Sequence, residues 1–377
     1  MIKTRITTIV GTRPEIIRMS EIVKLLDKST EHRLIHTGQN PAPELNSVFF
    51  DDLKLRKPDC EFQIDPSSLG NYLAKMFPLI EKELTDYRPH GILILGDTNS
   101  ALCAIIAKRM GIPVFHLEAG NRSFDSNVPE EINRRIVDHT SDFNLPYSEI
   151  ARQNLLNEGL HPRFIAKMGS PLFEILKNNE EAINHSGILQ QLGYKPKTYF
   201  LASIHRQENV DFADRLTTLL TGLAEVSKVH KAPILISTHP RTRKRIDQLK
   251  LKLDGELIFH DPFGFNDYIF LQKHAKVVLS DSGTISEESA VLGFPAVTLR
   301  NSMERPEALE SGVILMSGID AGSILESISY VLSKTRQGDV PEEYFYPDVS
   351  QRVVNLVLST VHQIPSWKGL YQKGVLD

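Results

Sequence analysis

Twice along its 377 residues this chain alternates short apolar runs with longer amphipathic segments. That pattern predicts an α/β protein of two doubly wound domains facing each other across a cleft. Two further observations agree with it. The length exceeds one typical hydrophobic core and suits two domains of ordinary size. Charged residues also follow directly on the apolar runs, at the strand ends where open parallel sheets bind ligands.

In the first half, "ITTIV" (6–10), "RLIHT" (33–37), "GILIL" (91–95), "PVFHL" (113–117) and "FNLPY" (143–147) read as buried strands. Segments 15–28, 70–86, 98–110, 130–140 and 148–158 are the helices between and after them. Beyond 165–171 the strand pattern lapses, and the polar stretch 178–197 reads as a connection. The first domain is therefore placed at 1–170. The pattern restarts with "TYFLASI" (198–204), "PILIST" (233–238), "LIFH" (257–260), "VVLSD" (277–281), "AVTLR" (296–300) and "VILM" (313–316), which places the second domain at 171–360. The last apolar stripe, 353–374, reads as a closing helix that packs back on the first domain, and 361–377 is assigned to it.

Composition bounds the function. An apolar fraction of 41% and a charged fraction of 24% are ordinary for a soluble globular protein. A net charge of −4 argues against a nucleic-acid or anionic-membrane partner, since either favours a broad basic face. Cys60 and Cys103 offer neither a disulfide framework nor a metal spacing, and Cys103 in "ALCAIIA" reads as a small buried hydrophobe. No window approaches the ~20 apolar residues of a membrane span. "MIKTRITTIVGTRPE" is too broken by Thr and Gly for a signal peptide. The expectation is a cytoplasmic protein.

The chemistry-bearing residues follow in chain order. "VGTRPEII" (10–17) leaves a strand through Gly11 and enters a helix with Pro14 in its first turn, bringing Arg13 to a helix amino end that welcomes anions. Asp97 of "LILGDTNSALCA" follows an apolar strand, where it could simply cap the next helix. Glu118 ends the following strand, so the two carboxylates should share one rim. The stretch "HLEAGNRSFDSNVPEEINRR" (116–135) then adds Arg122, Asp125, Glu130 and Arg134. Glu130 and Glu131 suit a helix amino end, and Glu130 with Arg134 could be a surface pair worth ~0.5 kcal/mol or less. So many opposed charges in one connection favour carboxylates poised for proton transfer, with arginines holding them and an anionic substrate.

In the second half "LASIHRQENVD" delivers His205 and Arg206 to a strand end and a helix start, which suits a phosphate. His239 repeats the geometry, whereas Arg241–Arg245 reads as a solvated helix face. "LSDSGTISEES" (279–289) is the sharpest signal: Asp281, Ser282, Gly283 and Thr284 present small residues and amides at a helix start, a phosphate cradle. Glu288 lies one turn further on, placed to accept from a sugar hydroxyl. "RNSMERPEA" (300–308) brings Glu304 and Arg305 to the same edge.

Together "GTRPE", "TGQN", "GDTNS", "HLEAGNR", "PEEINR", "HRQEN", "DSGTISEE" and "ERPEA" resemble the non-hydrolysing UDP-N-acetylglucosamine 2-epimerases, in that family's order and over nearly the whole chain. The resemblance implies two Rossmann-like domains of GT-B type, the second binding UDP. It implies removal of a sugar's C2 proton, expulsion of UDP to leave a glycal, and re-addition after protonation of the opposite face. No cofactor or metal is implied, the ligand is a UDP-linked N-acetyl-sugar, and a homodimer is expected. Carried over by motif, Asp97, Glu118, Glu130 and His205 are the catalytic candidates. Arg13, Arg18, Arg122, Arg134, Tyr268, Ser282, Gly283, Thr284, Glu288 and Arg305 are the substrate-binding candidates.

Within the family, Arg18 replaces a usual lysine, and Thr284 and Ser286 replace a usual glycine and glutamine. These departures, with "HRQENVD" and "NRSFDSNVPEEINRRIVDHTSD", resemble the subgroup that forms UDP-N-acetyl-L-fucosamine from UDP-2-acetamido-2,6-dideoxy-L-talose for capsule and O-antigen. "TGQNPAPELNSVFF" and "IDPSSLGNYLA" differ from segments that bind an activating second UDP-sugar in many members. The alternatives are UDP-GlcNAc/UDP-ManNAc interconversion and a GT-B glycosyltransferase. The latter would share the nucleotide cradle but not require the three carboxylates.

Overall fold

The computed structural model describes residues 3–39, 47–65, 68–333 and 339–369. Parts of "TGQNPAPELNSVFF" and "IDPSSLGNYLA" (40–46 and 66–67) and the end of the expected closing helix (370–377) lie outside them. The chain forms two compact units: one runs to Lys177 and resumes at Phe345, the other spans Asn178–Tyr344.

In the first unit six parallel strands are ordered β3-β2-β1-β4-β5-β6. They are β1 (Arg5–Val10), β2 (Glu31–His36), β3 (Cys60–Glu61), β4 (Gly91–Leu95), β5 (Val114–Leu117) and β6 (Phe143–Leu145). The central strands are buried along nearly their whole length, and β4 is apolar throughout, because helices cover both faces of a parallel sheet. Helix Leu69–Tyr87 shows how one cover forms. Ser68 caps its start by accepting from the Asn71 amide, and Tyr72, Met76, Ile80 and Leu84 recur every four residues on its buried face. These side chains pack with Ile9, Ile35, Ile92 and Ile94 of the sheet. Each contributes roughly 1.5–3 kcal/mol by leaving water. Cys103 is fully buried in the same core.

The second unit repeats the topology. β7 (Phe200–Ile204), β8 (Ile234–Thr238), β9 (Leu257–His260), β10 (Val278–Ser280), β11 (Ala296–Thr298) and β12 (Leu315–Met316) are ordered β12-β11-β10-β7-β8-β9. Numbered from its own first strand, each sheet therefore reads 3-2-1-4-5-6. The order reverses between the first and fourth strands, and there a doubly wound sheet opens a crevice at its carboxyl edge. In the first unit that point lies between β1 and β4, and in the second between β7 and β10.

The expected boundary at 360 is corrected. Helix Val349–Thr360 belongs wholly to the first unit. Val353, Val354 and Val357 are its buried stripe, and it packs on helix Arg13–Ser29. Ser350 fastens it by donating from its amide and hydroxyl to Glu174. The first crossing likewise falls after Lys177 rather than after 170, because helix Leu172–Asn178 buries Leu172, Ile175 and Leu176. Among the described residues no helix is long and apolar enough to cross a membrane.

Candidate active site

At the switch point of the first unit, the loops after β1, β2 and β4 close on one another. A Cβ on Gly11 would lie 2.0 Å from Ser100 Oγ and 2.2 Å from Thr37 Oγ1, so only glycine fits there. Glu15 ties the same loops together. It is buried, and its carboxylate accepts from the Gly11 amide (2.8 Å), Thr12 Oγ1 (2.9 Å) and Thr98 Oγ1 (2.8 Å). Burial pushes its carboxyl up to about 7, with the bonds from Thr98, Gly11 and Thr12 pulling the other way.

Asp97 follows β4 through Gly96, whose φ of 71° suits glycine. Asp97 Oδ2 accepts a hydrogen bond from Arg134 Nε at 2.8 Å and lies 2.6 Å from Nη2 of the same guanidinium, a charge-assisted contact that fixes the carboxylate. Asn133 Nδ2 holds the Asp97 carbonyl at 2.9 Å. Glu118 directly follows β5, which pairs with β4 through Leu95 and Leu117. The two carboxylates therefore leave neighbouring strands at the same edge. Glu118 takes a φ of 66°, uncommon for a residue with a Cβ and tolerated where surroundings over-determine it. Its Oε2 lies 3.7 Å from Nε of the buried Arg18, whose guanidinium sits over the Tyr147 ring.

The other charges divide into two groups. Glu130 is half-buried in the first turn of helix Pro129–Thr140. Its neighbour Glu131 is buried and clamps the preceding loop, accepting from the Ser123 amide and hydroxyl, Arg134 and Arg135. Burial alone would raise its carboxyl, but the Ser123 amide and Arg134 outweigh that and hold it below its ordinary value. Arg122, expected to bind substrate, is corrected to a structural role. Its guanidinium is fully buried, paired with Asp138 at 2.7 Å and Glu158 at 2.6 Å, and it donates to the Asn121 carbonyl. Arg13 is half-buried, with its guanidinium 5.4 Å from the Phe49 ring centre.

In the second unit Asp281, at the end of β10, turns inward. Fully buried, it accepts from the His205 and Arg206 amides and Asn209 Nδ2, which ties the loop after β7 to the loop after β10. Burial raises its carboxyl despite those bonds. His205 is partly exposed, with Nδ1 3.4 Å from Asp281 Oδ1. Ser282 and Thr284 hydroxyls meet at 3.0 Å. A Cβ on Gly283 would fall 2.3 Å from Glu304 Oε1 and 3.1 Å from Arg206 Nη2, so this cradle is closed to larger residues. Glu304 is itself buried between Arg206 (3.0 Å) and Arg300 (2.6 Å).

Glu288 accepts from Thr284 Oγ1 at 2.7 Å and Gln272 Nε2 at 2.6 Å. Tyr268 lies half-buried on helix Phe265–His274. Arg305 is buried against Glu287 at 2.5 Å, so its charge is met inside the unit.

Within the first unit, then, the structure brings Asp97, Glu118, Arg18 and Arg134 to one sheet edge. Within the second it gathers His205, Ser282, Gly283, Thr284 and Glu288 at the other. Sequence reasoning read Glu131 only as suited to a helix amino end and passed over Glu15 and Glu287. Of these two, Glu15 carried a signal, the spacing Thr12-x-x-Glu15 of a capping box. Such an array can hold ionised carboxylates beside arginines in one unit and an anion on helix amides in the other.

Comparison with known proteins accords with this geometry. The profile of the family described as UDP-N-acetylglucosamine 2-epimerase matches residues 24–358. The solved UDP-N-acetylglucosamine 2-epimerase of Rickettsia bellii is 40% identical, with a TM-score of 0.89 over 96% of this chain and 98% of that one. The Methanocaldococcus jannaschii UDP-GlcNAc 2-epimerase, solved with UDP-GlcNAc and UDP, is 33% identical, with a TM-score of 0.90 over 94% and 100%. A UDP-2,3-diacetamido-2,3-dideoxy-D-glucuronate 2-epimerase of Pseudomonas aeruginosa is 35% identical over 89% of this chain and 94% of its own. The chain belongs to the UDP-N-acetylglucosamine 2-epimerase family, with its GT-B-like α/β fold and its non-hydrolysing UDP-sugar 2-epimerase activity.

Proposed function

We propose that the chain inverts C2 of a UDP-linked 2-acetamido sugar by eliminating UDP and adding it back, and that its pair is UDP-2-acetamido-2,6-dideoxy-L-talose and UDP-N-acetyl-L-fucosamine. One observation carries the reaction: Asp97 and Glu118 close neighbouring strands, each beside a buried arginine. Arginine keeps a carboxylate ionised and aimed, as a base must be, and a second carboxyl on the same edge can return a proton.

In the proposed step a carboxylate takes the C2 proton while the C1–O bond breaks and its electron pair leaves on UDP. The C–H electrons become the C1=C2 double bond of a 2-acetamidoglycal. Protonation of C2 from the other face and addition of the UDP oxygen at C1 restore the sugar, inverted at C2. Oxidation states balance, so no oxidant enters. Glu130 assists the proton transfers, and Arg13 and Arg18 line the sugar side. His205, with the amides and hydroxyls of Ser282, Gly283 and Thr284, meets the charge that gathers on the departing diphosphate. Glu288 takes the ribose hydroxyls, and Tyr268 lies by the uracil.

What supports the 6-deoxy-L branch is the set of departures at Arg18, Thr284 and Ser286 and the stretches around His205 and Glu130. A second reading, UDP-GlcNAc/UDP-ManNAc interconversion, is favoured by the relatives' named substrate. Proton NMR of the purified protein with each UDP-sugar alone separates them. The proposal expects the L-talo compound to equilibrate with its epimer and UDP-GlcNAc to persist. The reverse pattern selects the second reading, and no reaction without an added acceptor would point to a glycosyltransferase.

A further inference from the structure

Asp97 and Glu118 lead back to one buried group. His116, in β5, is 1% exposed, and its Nε2 lies 2.8 Å from the carbonyl oxygen of Gly96, the residue before Asp97. A carbonyl can only accept, so Nε2 carries a proton. The other ring nitrogen, Nδ1, lies 2.9 Å from Oδ1 of the fully buried Asp138. That oxygen stands off the line of the ring N–H, so the contact is ionic first and a hydrogen bond second. A bare nitrogen lone pair at this distance would repel the carboxylate.

Asp138 in turn receives the Gly120 amide, at 3.3 and 3.2 Å from its two oxygens, and Arg122 Nη1 at 2.7 Å. Gly120 ends the turn that begins at Glu118, and Asn154 Nδ2 holds its carbonyl at 2.9 Å. The Gly96 peptide is held on both sides as well, because its amide donates to the Leu117 carbonyl. One carboxylate thus reaches the Asp97 turn through His116 and the Glu118 turn through Gly120.

Charge favours the same arrangement. Asp138 shares the guanidinium of Arg122 with Glu158. Glu158 also faces the half-exposed Arg135 and His139 toward solvent, whereas the groups facing Asp138 in the interior are Arg122, His116 and the Gly120 amide. A buried carboxylate held by a guanidinium and an amide stays ionised and favours a proton on the ring nitrogen beside it.

We infer that His116 and Asp138 form a buried imidazolium–carboxylate pair that sets the positions of both Asp97 and Glu118. The positioning role rests on the reading of those carboxylates as the proton-transfer groups, and the charge state of His116 does not. Neither His116 nor Asp138 touches the reacting atoms in this account. Each acts on where the reacting side chains stand, and small misplacements there can cost turnover on the order of 100-fold.

Two measurements on the full-length protein test it. In protein labelled with nitrogen-15 at histidine, the His116 ring signals are assigned by their loss in His116→Gln. Two protonated ring nitrogens are expected at neutral pH, and one unprotonated nitrogen would overturn the pair. In kinetics, Asp138→Asn should lower kcat on the order of 100-fold while KM and UDP affinity change less than about threefold. His116→Gln, which keeps a donor for the Gly96 carbonyl, should retain more turnover than His116→Phe.

Wild-type turnover in Asp138→Asn, beside a silent Asp97→Asn, would overturn the positioning role. If Asp97→Asn itself turned over normally, the acid/base reading would fail and the positioning role with it. The ring signals of the unaltered protein would still decide the charge state if Asp138→Asn did not fold, and His116→Phe supplies the assignment if His116→Gln does not.

Discussion

The two units share a strand order and use their switch points in opposite ways. In the first, Asp97 and Glu118 stand at the sheet edge with an arginine beside each. In the second, the equivalent carboxylate, Asp281, is turned wholly inward to tie two loops, and small residues and amides are left at the edge. One topology thus yields two kinds of edge. Where the carboxylate faces outward, the edge suits proton transfer. Where it faces inward, the helix amino end behind it suits an anion.

Breaking each edge separately should give different failures. The largest effect is expected from Asp97→Asn or Glu118→Gln, which should lower turnover 100- to 10,000-fold and leave UDP affinity nearly intact. Calorimetric titration with UDP beside turnover checks this, and near wild-type turnover in both would remove the division. Arg122→Ala should cost the first unit about 3–5 kcal/mol, since it takes the buried guanidinium from both Asp138 and Glu158, while UDP binding by the second unit persists. Denaturant titration measures that loss. Gly283→Ala should do the opposite: its Cβ would press on Glu304 and weaken UDP binding about tenfold or more, with the first unit's stability unchanged.

The effect at Glu15 vanishes at low pH and sharpens the comparison, because it depends on pH. Its folded carboxyl is raised to about 7 from an ordinary 4.5. The stability it contributes is therefore complete below pH 4.5 and lost as pH climbs through 7. Glu15→Gln lacks that loss, so its advantage over the natural protein should grow between pH 5 and pH 8, to on the order of 3 kcal/mol at most. Thermal melts at the two pH values read it directly, and an advantage that shrinks with pH would reverse the sign of the argument.

Much of this was legible because central parallel strands announce themselves. "GILIL" is apolar without interruption and "PILIST" nearly so, and whatever follows such a run must sit at the sheet edge, which located Asp97, Glu118 and His205. The edge strand β3, only Cys60–Glu61, has no run to read and went unseen. Helix Val349–Thr360 was read as a stripe, but a stripe does not say which unit it covers. Arg122 shows the deeper limit. Its place in a rim loop was correct, yet its burial depends on Asp138 and Glu158, 16 and 36 positions further on. Distance along the chain hides such partners, as it hid the bond from Thr98 to Glu15.

The proposed reaction turns on the fate of one carbon-bound hydrogen. Incubation of the protein with its UDP-sugar alone in heavy water, followed by mass spectrometry and NMR of both epimers, tests it most directly. One solvent deuteron should enter at C2 and nowhere else, in step with epimerisation. Epimers that form with C2 still carrying its original hydrogen would contradict it.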